Sequence, residues 1–251
     1  MAHRSSASKN SAPSWSRSST FSRCVSFGSP SIAKISGPLH GRSSWNGASP
    51  TSGRVDETHS IAAIFRGPMR LLTGPGRPKR FFDRIAARYD GINARLYKRE
   101  WLGRVRDAIR GERVLDVGVG TGFTTNHLAD AVGIDLSREM LRRARYRGHV
   151  VQADFMHPPF RGPGFDSVVF AGSLYYLPSA LEGLRIAKGL LRPGGRVVIL
   201  SPATRLLAPF VPIFSESDYR DFMDRARLHL VSYERLNWAA CLVVGEKPAP
   251  P

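Results

Sequence analysis

One run constrains this chain more than any other: Val114-Leu115-Asp116-Val117-Gly118-Val119-Gly120-Thr121-Gly122. A short apolar run that ends in three alternating glycines reads as a buried strand followed by a sharp turn. Glycines permit the turn and let the backbone approach a ligand closely. A helix is expected behind the turn, over residues 123–130, and a helix start presents free N–H groups to a ligand. A glycine-rich turn between strand and helix points to an α/β sheet that binds its ligand at the carboxyl edge of the strands.

The rest of the chain fits that pattern. A basic amphipathic stretch over 80–110 comes first, with Phe81, Phe82, Ile85, Tyr89, Leu96, Trp101, Val105 and Ile109 at roughly helical intervals and Gly91 as the expected break. Strands are predicted over 113–118, 131–135, 150–154, 166–172 and 196–201. Ser137 is the expected N-cap of a helix running to about residue 146. A further helix is predicted over 179–191, closed by a turn at 192–195. Residues 217–227 read as helix, and 228–236 with 239–247 as a final antiparallel hairpin.

Three acids stand in register with the glycine turn. Phe123 occupies the place where a dinucleotide fingerprint needs its last glycine. Asp116 lies inside the strand before the turn, where a carboxylate suits a cationic ligand better than a pyrophosphate. Asp135 ends the second strand, where a carboxylate can accept both hydroxyls of a ribose. Asp154 ends the third. Any one of these acids alone reads more simply as a turn cap, but a nucleoside carrying an amino-acid moiety would use all three.

This set resembles the class I S-adenosylmethionine-dependent methyltransferases, over residues 80–248. The resemblance implies an α/β, Rossmann-like seven-stranded sheet of order 3-2-1-4-5-7-6, with strand 7 antiparallel and helices on both faces. It implies S-adenosyl-L-methionine as cofactor, with Gly118, Gly120, Thr121 and Gly122 wrapping the methionine part and Asp116 holding its ammonium through water. Asp135 would take the ribose, and Asp154, with Ala153 and Phe155, the adenine; Leu136 and Ala171 are further cofactor-binding candidates. Ala171 belongs to the fourth-strand motif over 165–177, and 190–199 matches the turn and fifth strand. More narrowly, FFDRIAARYDGIN (81–93), MHPPF (156–160) and WAACLVVGEKP (238–248) are similar to the ubiquinone/menaquinone-biosynthesis C-methyltransferases, of the methyltransferase type 11-like group. The chain departs from them after Asn93, where a glycine-histidine-tryptophan pattern is missing, and at Val117-Gly118-Val119, where an alanine usually precedes the glycine pair.

The implied activity is methyl transfer, at carbon or oxygen, to a small lipophilic acceptor such as a quinol precursor. Tyr89, Tyr175 and Tyr176 are candidates for the acceptor pocket, against a core role that is commoner for aromatics. The apolar run over 206–214 reads equally as a greasy lid or as packing at the sheet edge. No residue declares itself as a catalytic base and no metal site is expected; His127 and His157 read as surface residues. Two alternatives from other classes are an RNA-binding protein or RNA methyltransferase, and an NAD-dependent oxidoreductase.

Charge is uneven. The chain has 37 Lys and Arg against 20 Asp and Glu, a net +17. Residues 80–251 hold 26 cations and 18 acids, a net +8, so just over half of the excess lies in residues 1–79. The first 55 residues contain 17 Ser and no acid, a composition that buries too little apolar surface to order itself. Residues 1–68 are therefore expected to be a disordered basic tail ahead of a methyltransferase domain over 69–251. Three readings of that tail stay open: a transit peptide, a nucleic-acid arm, and an extension upstream of a start at Met69. The last is favoured because Arg outnumbers Lys 31 to 6, as in a GC-rich coding sequence. Cys24 and Cys241 are too far apart for a disulfide scaffold or zinc motif, and no run reaches the roughly 18 apolar residues of a membrane span. Partners are expected to be a small-molecule acceptor and, peripherally, a membrane surface, but no nucleic acid; the oligomeric state is open. The expected location is cytoplasmic, or organellar if the tail is a transit peptide.

Overall fold

The computed structural model describes Leu72, Gly74 and residues 76–249; the expectations for 1–68 lie outside the described residues. Three helices lead in: α1 (Arg77–Ile85), α2 (Tyr89–Leu96) and α3 (Arg99–Ala108). Pro78 starts α1 without sacrificing a hydrogen bond, since the first helical N–H groups have no partner. Gly91 lies inside α2 and does not break the stretch. The breaks fall at a 3-10 turn over Ala86–Arg88 and at Tyr97 and Lys98, both extended.

Five parallel strands follow: β1 (Val114–Val117), β2 (Val132–Asp135), β3 (His149–Gln152), β4 (Phe165–Ala171) and β5 (Leu191–Pro202). Between them lie α4 (Arg138–Leu141) and α5 (Ala180–Leu190), and after them α6 (Glu216–Arg225). The hairpin β6 (His229–Arg235) and β7 (Ala240–Glu246) completes a sheet of order β3-β2-β1-β4-β5-β7-β6. β7 runs antiparallel to β5, as expected. Residues 192–195 are not a separate turn but an irregular start to β5, where the register steps from Phe165↔Leu191 to Ser167↔Arg196.

Side chains alternate between the faces of the sheet. Val168, Phe170, Val197 and Ile199 pack with Leu184 of α5 and Met223 of α6. Val169, Val198 and Leu200 pack with Trp101 and Val105 of α3. No helix among the described residues is long and apolar enough to cross a membrane.

The largest departure from the sequence reading is at 123–130, where turns replace the expected helix, and at α4, which stops at Leu141. The two segments hydrogen-bond to each other instead. Arg145 N donates to Thr121 O (3.2 Å) and Arg147 N to Asn126 O (3.2 Å), while Arg106 holds Thr124 O (2.9 Å) and Phe123 O (3.2 Å). Carbonyls that would have closed helical turns are thus already taken.

Candidate functional site

The turn after β1 is fixed from below and from the side. Gly118 N and Val119 N both donate to Ile134 O of β2, at 2.8 and 3.0 Å. Gly118 and Gly120 have φ of 69° and 56°, in the left-handed region. At Gly118 space matters as well, because a Cβ there would stand 2.6 Å from the Cβ of Ser173. Ser173 is buried and its hydroxyl donates to Val117 O, tying the end of β4 to the end of β1.

Asp135, at the end of β2, holds the tip of the turn. Its Oδ2 accepts from Gly120 N (2.9 Å) and its Oδ1 from Ser137 N (2.8 Å). A carboxylate offers about four acceptor positions, so each oxygen keeps one free. Burial pushes the Asp135 carboxyl above the usual range, against the backbone N–H groups of Ser137, Gly120 and, more weakly, Leu136, which favour its charge.

Ser137 caps α4 by accepting from Met140 N (3.1 Å), as expected, and its hydroxyl donates to Asp83 Oδ1 of α1 (2.6 Å). Lys79 Nζ donates to Asp83 Oδ2 (2.6 Å). Partial burial opposes the charge on Asp83, but the hydrogen bonds from Lys79 and Ser137 outweigh it and hold the carboxyl below its ordinary value. The leading helix is therefore joined through Ser137 to the acid that grips the glycine turn. Sequence reasoning missed this link. Its only signal was an acid on the face of an otherwise basic amphipathic helix.

Above the turn lies a cavity of about 430 Å³, within the usual range of small-molecule sites. Its floor includes Gly118, Gly120, Asp135, Leu136, Ala153, Asp154, Phe155 and Ala171, all at carboxyl ends of the parallel strands or the turns behind them. The rest of the lining is largely apolar and aromatic, with Pro78, Phe82, Tyr89, Tyr176, Leu177 and Pro178 beside Lys79. Phe82 sits edge-on to Tyr176 (centroids 5.2 Å apart) and to Tyr89 (5.9 Å). Burial raises the hydroxyls of Tyr89 and Tyr176 well above the ordinary tyrosine value, so both stay neutral. Asp154 is half exposed; its Oδ1 accepts from Met156 N (2.9 Å) and its Oδ2 lies 3.6 Å from His157 Nδ1.

Four of the residues singled out from sequence stand outside that cavity. Tyr175 is buried beneath Tyr176, with ring centroids 4.5 Å apart. Thr121 and Gly122 belong to the far side of the turn, and the buried Thr121 Oγ1 has no hydrogen-bond partner among the described residues. Asp116 is 2% exposed and faces a separate cavity of about 20 Å³, shared with Asn93, Tyr97 and Gly118, room for about one water. Its Oδ2 accepts from Thr125 Oγ1 (2.5 Å), itself 2.6 Å from the Tyr146 hydroxyl. Burial pushes the Asp116 carboxyl up to about 7, opposed by the Thr125 bond and reinforced by the charge of Asp135. Beyond Asp83 and Ser137, sequence reasoning also missed Pro78, Lys79, Leu177 and Pro178 as site residues.

The comparisons with known proteins agree with this geometry. A family profile described as a methyltransferase domain matches residues 115–199, from β1 into β5. A demethylmenaquinone methyltransferase from Corynebacterium urealyticum is 31% identical over 168 residues, 62% of this chain and 70% of the relative. One of the same name from Corynebacterium kroppenstedtii is 30% identical over 164 residues, 61% and 69%. Among solved structures, a SAM-dependent methyltransferase from Thermotoga maritima superposes with a TM-score of 0.57 at 19% identity, over 67% of this chain and 99% of that one. The cyclase SpnF does so with 0.61 at 14%, over 74% and 100%. At such identities the structures speak for the fold alone; the sequence relatives carry the family. The chain belongs to the class I S-adenosylmethionine-dependent methyltransferases.

Proposed function

We propose that the protein transfers a methyl group from S-adenosylmethionine to a small lipophilic acceptor of the quinol-precursor class, the kind of reaction for which its sequence relatives are named. The observation that carries this reading is the mixed lining of one cavity, where glycines and the acids Asp135 and Asp154 meet Pro78, Phe82, Tyr89, Tyr176, Leu177 and Pro178. When bound, S-adenosylmethionine supplies an already activated methyl on a sulfonium. The work left to the chain is to align, to hold charge and to exclude water.

The residues present fit that cofactor. Asp135 keeps one acceptor position on each oxygen for the two ribose hydroxyls. Asp154, Ala153 and Phe155 form the end of the floor that would take the adenine. Asp116 would act on the ammonium through the one-water cavity beside Gly118, and its Thr125 partner leaves Oδ1 for that role. The aromatic wall would seat the acceptor ring and keep solvent from the transfer path.

Calorimetry with S-adenosylmethionine and with its demethylated product tests the cofactor assignment. Failure of a folded sample to bind either would end it. A screen of lipid and quinone extracts for label transferred from methyl-labelled cofactor tests the acceptor class. Transfer to polar acceptors only would refute the lipophilic part and leave the cofactor part standing.

A further inference from the structure

Four of the eight large apolar side chains exposed among the described residues gather in two loops. Leu206 (74% exposed), Leu207 and Phe210 follow β5, and Trp238 (67% exposed) lies in the β6–β7 turn. The loops are held side by side. Pro202 pairs with Ala240 in the sheet register, Ala203 N donates to Ala239 O (2.8 Å), and the Arg235 guanidinium reaches Ala203 O (3.5 Å) and Trp238 O (3.3 Å). Phe210 N and Val211 N both donate to Leu207 O (3.0 Å), and Val211 is buried. The segment is thus a fixed turn with one apolar residue pointing in and three pointing out.

Two further facts give this patch a partner. First, it is tied to the segment that leads into the cavity lining: Leu72 N donates to Phe210 O (3.2 Å), and Gly74 and Gly76 line the cavity. Second, its charge has one sign. Neither 202–214 nor 235–245 contains an acid, while Arg205 and Arg235 are exposed. Nearby Glu234 and Glu216 are paired with Arg104 (2.5 Å) and Arg220 (2.6 Å), and Asp218 is engaged in the capping box of α6. Protruding Leu, Phe and Trp flanked by arginines match the boundary of an anionic bilayer, apolar tips below the headgroups and guanidinium groups among the phosphates.

We propose that the 206–210 turn and Trp238 form a docking surface for an anionic lipid bilayer, set beside the cavity so that a lipophilic acceptor can pass between membrane and site. The surface stands on its own exposure and charge, whatever the acceptor is.

Sedimentation of the full chain with phosphatidylglycerol/phosphatidylcholine vesicles tests it. Wild type is expected to bind them and to bind pure phosphatidylcholine far less. The variant Leu206→Ser/Phe210→Ser/Trp238→Ser is expected to lose on the order of 100-fold in partition coefficient, with its unfolding midpoint and its affinity for the demethylated cofactor unchanged. Arg205→Glu is expected to lose about 10-fold on the anionic vesicles only. The control is Lys188→Glu/Arg227→Glu, in a basic depression at the other end of β5 and β7 that Arg185, Arg225 and Lys247 also line; it is expected to bind as wild type does. Full binding by the triple-serine variant would overturn the proposal, as it would if residues 1–71 carried the binding or covered the patch. So would loss of binding in the Lys188/Arg227 variant. A wild type that ignores vesicles but forms a dimer dissolved by the serines would overturn it in favour of a second copy.

Discussion

Asp83 is the residue whose removal says most about how the site is held. Its carboxylate takes one hydrogen bond from Lys79 and one from the Ser137 hydroxyl, both 2.6 Å long. The Lys79 pair is partly exposed, with side chains 40% and 26% accessible, and a pair of that kind is worth about 0.5 kcal/mol. Ser137 is 1% exposed, so Asp83→Ala leaves a buried hydroxyl without its acceptor, at roughly 1–2 kcal/mol. The sum falls on the docking of α1 over the cavity and on the Ser137–Asp135 contact beneath it. If that docking is part of cofactor binding, the dissociation constant should rise roughly 10- to 60-fold, at about 1.4 kcal/mol per factor of ten. Asp83→Asn keeps an acceptor for Ser137 and loses only the charge, so it should weaken binding about 2- to 3-fold. Calorimetry with the demethylated cofactor measures both, and hydrogen exchange over residues 77–85 should show faster opening in Asp83→Ala, restrained by ligand. The latch operates at neutral pH. A carboxyl held below its ordinary 3.8 contributes stability above that value and loses it only as pH falls through the lowered one. Wild-type affinity in Asp83→Ala, or equal weakening in both variants, would falsify the latch.

Three more outcomes follow from the geometry. Gly118→Ala combines a left-handed backbone with a Cβ 2.6 Å from that of Ser173, and should lower stability by roughly 2–4 kcal/mol, read as an earlier urea midpoint, with cofactor binding lost. Tyr176→Phe keeps the ring and its edge contact with Phe82 and should leave the acceptor KM within about 2-fold of wild type, whereas Tyr176→Ala, which removes the Phe82 edge contact, should raise the acceptor KM about 5- to 10-fold and leave cofactor affinity in place. Asp116 titrates near 7 in the folded chain, against an ordinary 3.8. The stability it contributes is fully present below about 4 and is lost as pH rises through 7. Urea unfolding of Asp116→Asn should accordingly show a shallower fall between pH 4 and 7 than wild type; an identical fall would count against the raised value.

The sheet was legible because each strand carries its own signal. Apolar runs of four to seven residues, closed by glycine or by an acid, can be assigned without knowing their neighbours, and the hairpin at the end announced itself by alternation. The helices around the site were less legible. Residues 123–130 have the composition of a helix, and what prevents one is the amide groups of Arg145 and Arg147 and the guanidinium of Arg106, all distant in sequence. The acids at the strand ends could be read one by one. That Asp135 and Asp154 face one cavity while Asp116 faces another depends on which way each carboxylate turns beneath the glycines, and spacing does not encode that. The aromatic wall was half visible: Tyr89 and Tyr176 were named, but Phe82, which touches both, was read only as part of a helical repeat.

The exchange of backbone bonds between the segments at 121–126 and 145–147 bears on the order in which the molecule assembles. A helix can form from its own residues alone; a turn that borrows its partners from 21 and 24 residues downstream needs those residues as well. The glycine turn draws its bonds from β2, through Ile134 O and Asp135, and at Thr121 from the chain beyond α4, so each of these has to be in place for the turn to be complete. The segments at 121–126 and 145–147 are in this sense tied to each other by long-range bonds rather than by local helical ones, and a ligand that bound only the folded chain would draw the turns around it further into the cooperative unit of the rest.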